Sequence, residues 1–148
     1  MPMDLGIREN ISELIEGETL TFETTAGTAA SQRLANCSGA RHLVWKNASP
    51  GDKIRIHFDA PASGRYQIMV NLCMSPDYGK YRFLVNDQES GQVVDAWSAR
   101  LFWVQQVLGR FQLKQGDNIL EISLLEPNPL AKTGNLLGLD YILLTREY

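Results

Sequence analysis

The sequence predicts an all-β fold, an antiparallel two-sheet β-sandwich or jelly roll. Segments in which apolar and polar residues alternate recur after residue 50, as is typical of half-buried antiparallel strands. Turn-forming residues separate these segments at short intervals, and many short strands joined by regular turns favour a sandwich. The 148 residues are long enough for one domain with a substantial hydrophobic core.

Four segments carry the alternation most clearly. Each has a hydrophobic side chain at every second position, so one face of the strand is predicted to be buried and the other polar. Trp45 alternates with Leu43 and is also predicted to lie in the core. The segments and their apolar positions are KIRIHFDA (Ile54, Ile56, Phe58), RYQIMVNL (Tyr66, Ile68, Val70, Leu72), KYRFLVN (Tyr81, Phe83, Val85) and NILEISLL (Leu120, Ile122, Leu124).

Turn signals divide the chain between these strands. Asn-Asp and Gly-Asp pairs tolerate a positive φ angle and therefore suit hairpin turns. One helical turn is predicted, over Ile7–Ile15, and we expect residues 1–11 to be an extension and 12–148 a single domain. The turn segments are SPGD (49–52), PASG (61–64), SPDYG (75–79), VNDQESG (85–91) and KQGDN (114–118).

The composition argues against several classes of function. The net charge is −3 and no basic run is present, so nucleic acid is not an expected partner. The longest apolar runs, LLGL and YILL, are too short to span a membrane. Met1–Leu14 has no charged region followed by an apolar one, so no signal peptide is predicted.

The sequence contains no recognisable catalytic set, so we expect a protein that is not an enzyme. Nucleophile-elbow, phosphate-loop and zinc-protease motifs are absent. The two histidines, His42 and His57, lie in predicted strands, and His57 is expected to have a structural role. Cys37 and Cys73 match no metal-binding spacing, and both a disulfide and buried thiols remain open.

Two carboxylates stand close together near the start of the chain. Glu16 and Glu18, in LIEGETL, are two positions apart, so in a strand they share one face at a spacing of about 6–7 Å. Like charges at that spacing repel each other unless water surrounds them or a cation lies between them. A solvated strand edge and a cation site both explain the pair.

The order of these segments resembles the β-sandwich carbohydrate-binding modules of families 6 and 35, which have a galactose-binding-like jelly roll. The resemblance spans roughly residues 12–146 and rests on IEGE, SPGDKIRI, ASGRYQIMV, YRFLVND, FQLKQGDNILEISL and GLDYILL. A variant of these modules, found as an accessory domain in bacterial multidomain proteins, is most similar in the segments HLVWKNASPGD, SPDYGKYRFLVND and EPNP. Some of those proteins also have a glycoside hydrolase family 172 domain. The resemblance implies a noncatalytic module that acts outside the cytoplasm, at the cell surface, extracellularly or in the periplasm.

The resemblance implies a structural calcium ion held by Glu16, Glu18 and Asp140. Calcium prefers about six to eight oxygen ligands, and carboxylates on one strand face can supply several of them. The first and last strands are neighbours in such sandwiches, which would bring Asp140 to the glutamates. The alternative is that the glutamates lie on a solvated edge while Asp140 caps a turn.

The resemblance also implies a glycan site in the loops at one end of the sandwich. Aromatic rings stack on sugar faces, and polar groups beside them bind the hydroxyls. DAWSARLFWVQQ (95–106) supplies Trp97, Phe102 and Trp103, together with Asp95, Arg100, Gln105 and Gln106. SPDYG supplies Asp77 and Tyr78, and EPNPLAKTGN (126–135) supplies Asn128, Lys132 and Asn135.

Each aromatic candidate has a structural alternative. Tyr78 packs over its own turn in the alternative interpretation. Phe102 and Trp103 are adjacent, so in an extended segment only one of them can point inward. The resembled modules often have a sugar-contacting asparagine two residues before the closing aspartate, whereas this chain has Gly138 there and Asn135 three positions earlier. That difference implies an altered or lost site.

Two functions follow from these observations. The first is a noncatalytic carbohydrate-binding module whose ligand is a polysaccharide or oligosaccharide. The second is a structural, oligomerisation or interdomain sandwich without sugar binding. In that case Phe102, Trp103, their apolar neighbours and the apolar closing segment LLGLDYILL (136–144) would be buried against a neighbouring domain, such as a catalytic domain, or another copy of the chain.

Overall fold

The structure is a computed structural model that describes residues 12–16, 20–33, 41–127, 129–130 and 136–147. These residues form eleven strands, and every pair of neighbouring strands is antiparallel. The strands are β1 (Ser12–Glu16), β2 (Thr21–Thr24), β3 (Thr28–Arg33), β4 (Arg41–Lys46), β5 (Lys53–Ala60), β6 (Gly64–Met74), β7 (Lys80–Val85), β8 (Gln88–Asp95), β9 (Phe102–Leu113), β10 (Gly116–Leu125) and β11 (Leu137–Arg146).

Two sheets pack face to face, which confirms the predicted all-β sandwich. The six-stranded sheet has the order β3-β4-β11-β6-β9, with β1 also paired to β11. The five-stranded sheet has the order β2-β5-β10-β7-β8. β4 and β1 share one side of β11 in succession, because β4 pairs with residues 137–139 and β1 with residues 141–145.

The alternating positions predicted from the sequence form the core between the sheets. All thirteen of the apolar positions given above in the four alternating segments are at most 2% exposed. Trp45, Tyr66 and Tyr81 are fully buried, and Trp45 anchors the β2–β3 turn by donating a hydrogen bond from Nε1 to the Ala26 carbonyl at 2.9 Å. Each large buried side chain contributes roughly 1.5–3 kcal/mol of hydrophobic stabilisation.

The tight turns also follow the sequence signals. Asn86 and Asp87 have φ angles of 48° and 70° and form a two-residue hairpin between β7 and β8. Two positive φ angles in succession define the turn type whose twist matches antiparallel strands. Gly51 and Gly116 have φ angles of 98° and 92°, in the region that glycine reaches without steric cost.

The chain's first strand corrects one prediction. The first four residues of the strand Ser12–Glu16 are predicted to lie in the helical turn Ile7–Ile15, but the strand pairs with β11 from Ser12↔Thr145 to Glu16↔Tyr141. Residues 7–11 lie outside the described residues. The partner β11 supplies backbone hydrogen bonds along the strand, whereas an isolated helical turn is not stable by itself. Within the described ranges, no helix has the length and hydropathy needed to cross a bilayer.

The sandwich has two distinct ends. We call the end formed by residues 75–79, 95–101 and 136 the loop end, and the end formed by residues 61–63, 86–87 and 114–115 the turn end. β6 runs from the turn end to the loop end, because residue 63 precedes it and residue 75 follows it. Of the predicted glycan-binding residues, Asp77, Tyr78 and Trp97 therefore lie at the loop end, and Phe102 and Trp103 begin the strand that follows it.

Candidate functional site

Backbone hydrogen bonds fix the two main segments of the loop end. The Ser75 amide donates to the Ala96 carbonyl at 3.0 Å, and the Ala96 amide donates to the Gly79 carbonyl at 2.8 Å. The Ser98 amide donates back to the Ser75 carbonyl at 3.3 Å. Backbone hydrogen bonds therefore join these two loops as they join neighbouring strands, although the loops contain little regular secondary structure.

A third segment joins them through Leu136. The Gly79 amide donates to the Leu136 carbonyl at 3.0 Å, and the Leu136 amide donates to the Asp77 carbonyl at 3.1 Å. The hydroxyl of Tyr81 donates to the same Leu136 carbonyl and accepts from the Gly79 amide. Tyr81 is fully buried, and burial raises the pKa of its phenol well above the usual value. The hydroxyl therefore stays protonated and ties the β6–β7 loop to the start of β11.

Trp97 is held at the surface of this framework. Its backbone amide donates to Asp95 Oδ1 at 3.1 Å, a local turn that fixes the tryptophan backbone. Trp97 is half-buried. An indole has apolar faces and an N–H donor at its edge, which suits a ligand that is apolar on one side and hydroxylated at its edge.

The other two aromatic residues of this segment have different environments. Phe102 is 45% exposed and follows the exposed Leu101, whereas Trp103 is half-buried and packs against the core. The two residues alternate between surface and core, as expected for adjacent strand positions. Arg100 is exposed, and its backbone amide donates to Ser98 Oγ at 3.2 Å. Trp97 and Phe102 are thus the accessible rings among those predicted here.

Tyr78 is placed differently from the ligand-facing position expected. It is 7% exposed and belongs to the core cluster, so its ring is not available for stacking. Burial and the neighbouring Cys73 raise the pKa of the Tyr78 phenol. The burial of the ring agrees with the alternative given in the sequence analysis, in which Tyr78 packs inside the protein and does not face a ligand. Asp77, one residue earlier, is half-buried.

Several sequence-based candidates cannot be located. Asn135, Asn128 and Lys132 lie outside the described residues, so their predicted ligand contacts stay predictions. The same holds for Cys37, which leaves its pairing with the fully buried Cys73 undecided. Gly138 is buried and pairs with Val44 of β4.

Asp140 lies at an irregularity of β11. Its carboxylate is 1% exposed, and Asn71 Nδ2 donates to its Oδ2 at 3.0 Å. Leu139 pairs with Leu72 of β6, but Tyr141 pairs with Asn71, so two residues of β11 match one step along β6. Asp140 is therefore the extra residue of a β-bulge.

The bulge determines which face of the sheet Asp140 reaches. Leu72 points into the core, whereas Asn71, the residue before it, points outward and is 8% exposed. Because Asp140 bonds to Asn71, its carboxylate is on the outer side, with Tyr141. Tyr141 is the backbone partner of Glu16, so the first and last strands do meet at this point.

The predicted calcium ligands can be placed only in part. The side chain of Glu16 and the whole of Glu18 lie outside the described residues. Within the part of the chain that the structure describes, no three His, Cys, Asp or Glu side chains are grouped to hold a metal ion. The Asn71 amide supplies one neutral hydrogen bond to the buried carboxylate of Asp140.

The sequence analysis missed Asn71 and Tyr141. Both belong to a polar row across the six-stranded sheet, in which Gln105 Nε2 donates to the Tyr141 hydroxyl at 2.7 Å. An outward-facing asparagine in an alternating strand gives the same pattern as a solvated residue. The sequence gives no signal for Asn71, because its contact with Asp140 follows from the pairing of β6 with β11.

His57 has a structural role on the outer face of the other sheet. Its Nε2 lies 2.8 Å from Glu23 Oε1 and its Nδ1 lies 3.0 Å from Asp117 Oδ2. The hydrogen bond to Glu23, followed by that to Asp117, raises the pKa of the imidazole above 6.5. The ring therefore links β2, β5 and β10 through these two contacts.

Comparison with known proteins identifies the fold. No protein-family model and no curated protein match the chain. The structure of Paenibacillus xanthan lyase matches with a TM-score of 0.82 at 20% identity, over 90% of this chain and 13% of that one. A family 35 carbohydrate-binding module from Clostridium thermocellum matches with a TM-score of 0.58 at 16% identity, over 90% of this chain and 97% of the module.

A third solved structure extends the comparison. The CBM36-1 domain of a multidomain xylanase from the hindgut metagenome of Trinervitermes trinervoides matches with a TM-score of 0.57 at 11% identity, over 93% of this chain and 99% of that domain. The protein therefore has the β-sandwich fold of family 35 and CBM36 modules. It spans nearly all of each isolated module but a small part of the xanthan lyase.

Proposed function

We propose that the protein is a noncatalytic carbohydrate-binding module whose glycan binds at the loop end. The observation that carries the proposal is Trp97, a partly exposed ring whose backbone is fixed by Asp95. Phe102 supplies a second exposed ring, and Asp77 and Arg100 supply charged groups of both signs on the same loops. This combination matches the requirements of sugar binding, which needs an aromatic platform and nearby hydrogen-bonding groups.

The framework of the loop end supports this proposal. Its segments are joined through backbone groups, so the side chains of Trp97, Asp77 and Arg100 remain available to a ligand. A fixed binding surface loses little conformational entropy on binding. One stacked sugar with a few hydrogen bonds gives weak affinity, and we expect dissociation constants of roughly millimolar to micromolar.

The names of the matching structures favour the same class of ligand. Two of them are carbohydrate-binding modules or domains, and the third belongs to an enzyme named for a polysaccharide. We therefore infer a polysaccharide or oligosaccharide as the ligand, and a setting outside the cytoplasm. A neighbouring catalytic domain would then gain local substrate concentration from the module.

Replacement of Trp97 tests the glycan site. We expect Trp97→Ala to weaken binding by roughly 1–3 kcal/mol, as measured by calorimetry against plant, algal and bacterial polysaccharides. Phe102→Ala should have a smaller effect. Val107→Ala is the matched control, because Val107 is 40% exposed but lies on the face of the sheet. Absence of binding to every glycan by the folded wild-type chain would refute the proposal.

We further propose that calcium stabilises the fold where β1 meets β11. Asp140 would be one ligand, and Glu16 and Glu18 would supply the others. The buried carboxylate, the bulge that turns it outward and the pairing of Glu16 with Tyr141 support this site. Bound calcium would neutralise carboxylates that otherwise repel one another.

Removal of calcium tests the metal site independently of sugar. At a free calcium concentration a hundred times the dissociation constant, the ion would stabilise the fold by about 2.7 kcal/mol. We therefore expect a chelator to lower the melting temperature of the wild type. Asp140→Asn should abolish that response, whereas the exposed Asp87→Asn should retain it. An unchanged wild-type melting temperature would exclude a structural ion.

A second candidate function is an interaction domain without sugar binding. The observation in its favour is an apolar row across the outer face of the six-stranded sheet, where Val107, Met69, Leu143 and Leu14 are aligned on four neighbouring strands. Val107 and Leu14 are 40% and 48% exposed. Light scattering separates the two candidates, because a concentration-dependent oligomer lost in Leu14→Ser favours assembly and a monomer favours the glycan module.

A further inference from the structure

β9 forms one edge of the six-stranded sheet. Within the described ranges its only strand partner is β6, so the backbone groups on its other side take no part in the sheet. The pairing with β6 is continuous from Phe102 to Val107, and the register shifts at Leu108. A regular stretch of this length is enough for one more strand, because strands are usually about five or six residues long.

This edge lacks the protection that natural sheet edges commonly have, which comes from charged side chains, bulges or a short strand. In the five-stranded sheet, β2 has four residues and is followed along the edge by the exposed Glu23, and β8 contains Glu89 and a register shift. The regular stretch of β9, FWVQQV (102–107), has no charged side chain. Phe102 and Val107, at its two ends, are 45% and 40% exposed.

Val107 shows which backbone groups of β9 point away from β6. Its carbonyl accepts a hydrogen bond from the side chain of the preceding residue, from Gln106 Nε2 at 3.0 Å, which indicates an outward direction. Backbone groups of alternate residues point to the same side of a strand, so those of Gln105 also point outward. Gln106 Nε2 also lies 3.4 Å from Gln92 Oε1, so this side chain keeps a partner when another strand takes the Val107 carbonyl.

The chemistry of the stretch favours a second copy of the same chain as the added strand. Two identical strands that pair about a two-fold axis bring the residue at the axis opposite itself, where a charge would repel its own copy. Gln105 is uncharged, and its side-chain amide donates one bond to Tyr141 while keeping a second N–H and its oxygen for an identical amide. The same register places Trp103 opposite Val107 of the second copy, an aromatic and β-branched pair that stabilises antiparallel strands.

We propose that β9 is a dimerisation edge, at which two copies pair antiparallel through Phe102–Val107 about a two-fold axis at Gln105. The pairing joins two six-stranded sheets into one continuous sheet. The register shift at Leu108 ends the contact before Arg110, whose charge is paired with Glu147 at 2.7 Å.

The antiparallel pairing also determines where the two loop ends lie. β9 begins at the loop end and finishes at the turn end, so the two loop ends of the dimer point in opposite directions. The dimer therefore binds two separate glycan chains. This consequence for glycan binding rests on the proposed function, whereas the dimer itself does not.

Self-association of the full chain tests the dimer without any substitution. Pairing over one short strand buries a small interface, so we expect a reversible dimer. The molar mass from analytical ultracentrifugation should rise toward twice that of the single chain between about 10 micromolar and about 1 millimolar. A chain that stays monomeric throughout, or that grows beyond the dimer, would overturn a closed two-fold contact.

Substitutions at the axis test the register. Gln105→Lys and Gln105→Glu each place like charges opposite each other, so each variant alone should self-associate at least about tenfold more weakly than the wild type at low salt. An equimolar mixture of the two variants should regain the wild-type association, because the axis then has one charge of each sign. Recovery in the mixture also shows that both variants fold.

The matched control for these variants is Gln112→Lys, because Gln112 is an exposed glutamine of the same strand beyond the register shift. It should dimerise as the wild type does. A mixture of the Gln105 variants that stays monomeric, or an equal loss of association in Gln112→Lys, would contradict the axis at Gln105.

Amide hydrogen exchange locates the contact. The Gln105 N–H points away from β6 in the single chain and bonds to the second copy in the dimer. Its exchange should therefore slow as the protein concentration rises, whereas the exchange of the edge strand β2 should stay constant. A dimer in which the Gln105 amide exchanges at an unchanged rate would place the contact elsewhere.

Two further variants separate this contact from the other proposals. Leu14→Ser alters the apolar row on the outer face of the sheet, and Trp97→Ala alters the glycan site, so both should leave the β9 dimer intact. Because the dimer is measured without glycan, failure of the glycan proposal does not affect this result. Loss of the dimer in Leu14→Ser would show instead that the copies meet through the outer face.

Discussion

The two ends of the sandwich are stabilised by different groups. At the loop end, backbone amides and carbonyls of Ser75, Gly79, Ala96 and Leu136 bond to one another. At the turn end, side chains form the corresponding hydrogen bonds. Asn118, 1% exposed, donates from Nδ2 to the Lys114 and Gly116 carbonyls, both at 2.9 Å, and accepts at Oδ1 from Asn86 Nδ2 at 3.0 Å.

This difference explains where binding side chains can vary. A loop held mainly through its backbone depends less on its exposed side chains, so residues such as Trp97 can be selected for a ligand. A turn held through an asparagine depends on that asparagine. We therefore expect substitutions at the turn end to affect stability and substitutions at the loop end to affect binding.

The largest expected effect on stability comes from Asn118→Ala. The substitution removes four hydrogen bonds and leaves buried polar groups without partners, which should cost roughly 2–4 kcal/mol in the free energy of unfolding. Chemical denaturation measures the loss. The neighbouring exposed Gln112→Ala serves as the control and should change stability by less than about 0.5 kcal/mol. Equal values for the two variants would contradict the role given to Asn118.

Tyr81→Phe tests a buried side chain that joins two segments of the loop end. It removes the hydroxyl that bonds to Leu136 and Gly79, and we expect a loss of roughly 1–2 kcal/mol. Faster amide hydrogen exchange should be confined to residues 77–79 and 136. Exchange that increases equally at the turn end would mean that the two ends are not independent.

The smallest expected effect concerns His57, which links Asp117, next to the turn end, to Glu23. Its pKa is raised above 6.5 in the folded state. The stabilisation is therefore fully present below pH 6.5 and is lost as the pH rises through the folded-state pKa. We expect the melting temperature of the wild type to exceed that of His57→Gln at about pH 5.5. The difference between the two melting temperatures should be smaller at about pH 8.5.

A surface ion pair provides the comparison for the pH series. Arg82 and Glu89 form an ion pair without a histidine, so the melting temperature of Arg82→Gln should differ from that of the wild type by the same amount at both pH values. A His57→Gln difference that is constant with pH, or that grows as the pH rises, would show that the histidine bridges its carboxylates in the neutral form.

Local patterns in the sequence predicted the core well. The period-two segments identified Ile54, Tyr66, Phe83 and Leu120 as buried, because a strand must direct alternate side chains to opposite faces. The Asn86–Asp87 pair predicted its hairpin for an equally local reason, since few residues tolerate two positive φ angles. The candidate site was harder, and Tyr78 was expected at the ligand but is buried.

What the sequence determined by itself is therefore what each segment does with its own backbone and its nearest neighbours: strands, turns and the face that enters the core. What only the tertiary structure decided is which segments meet. The bulge at Asp140 exists because β11 must match β6 on one side and both β4 and β1 on the other. The burial of Tyr78 likewise arises from contacts between residues distant in the chain, which no local pattern encodes.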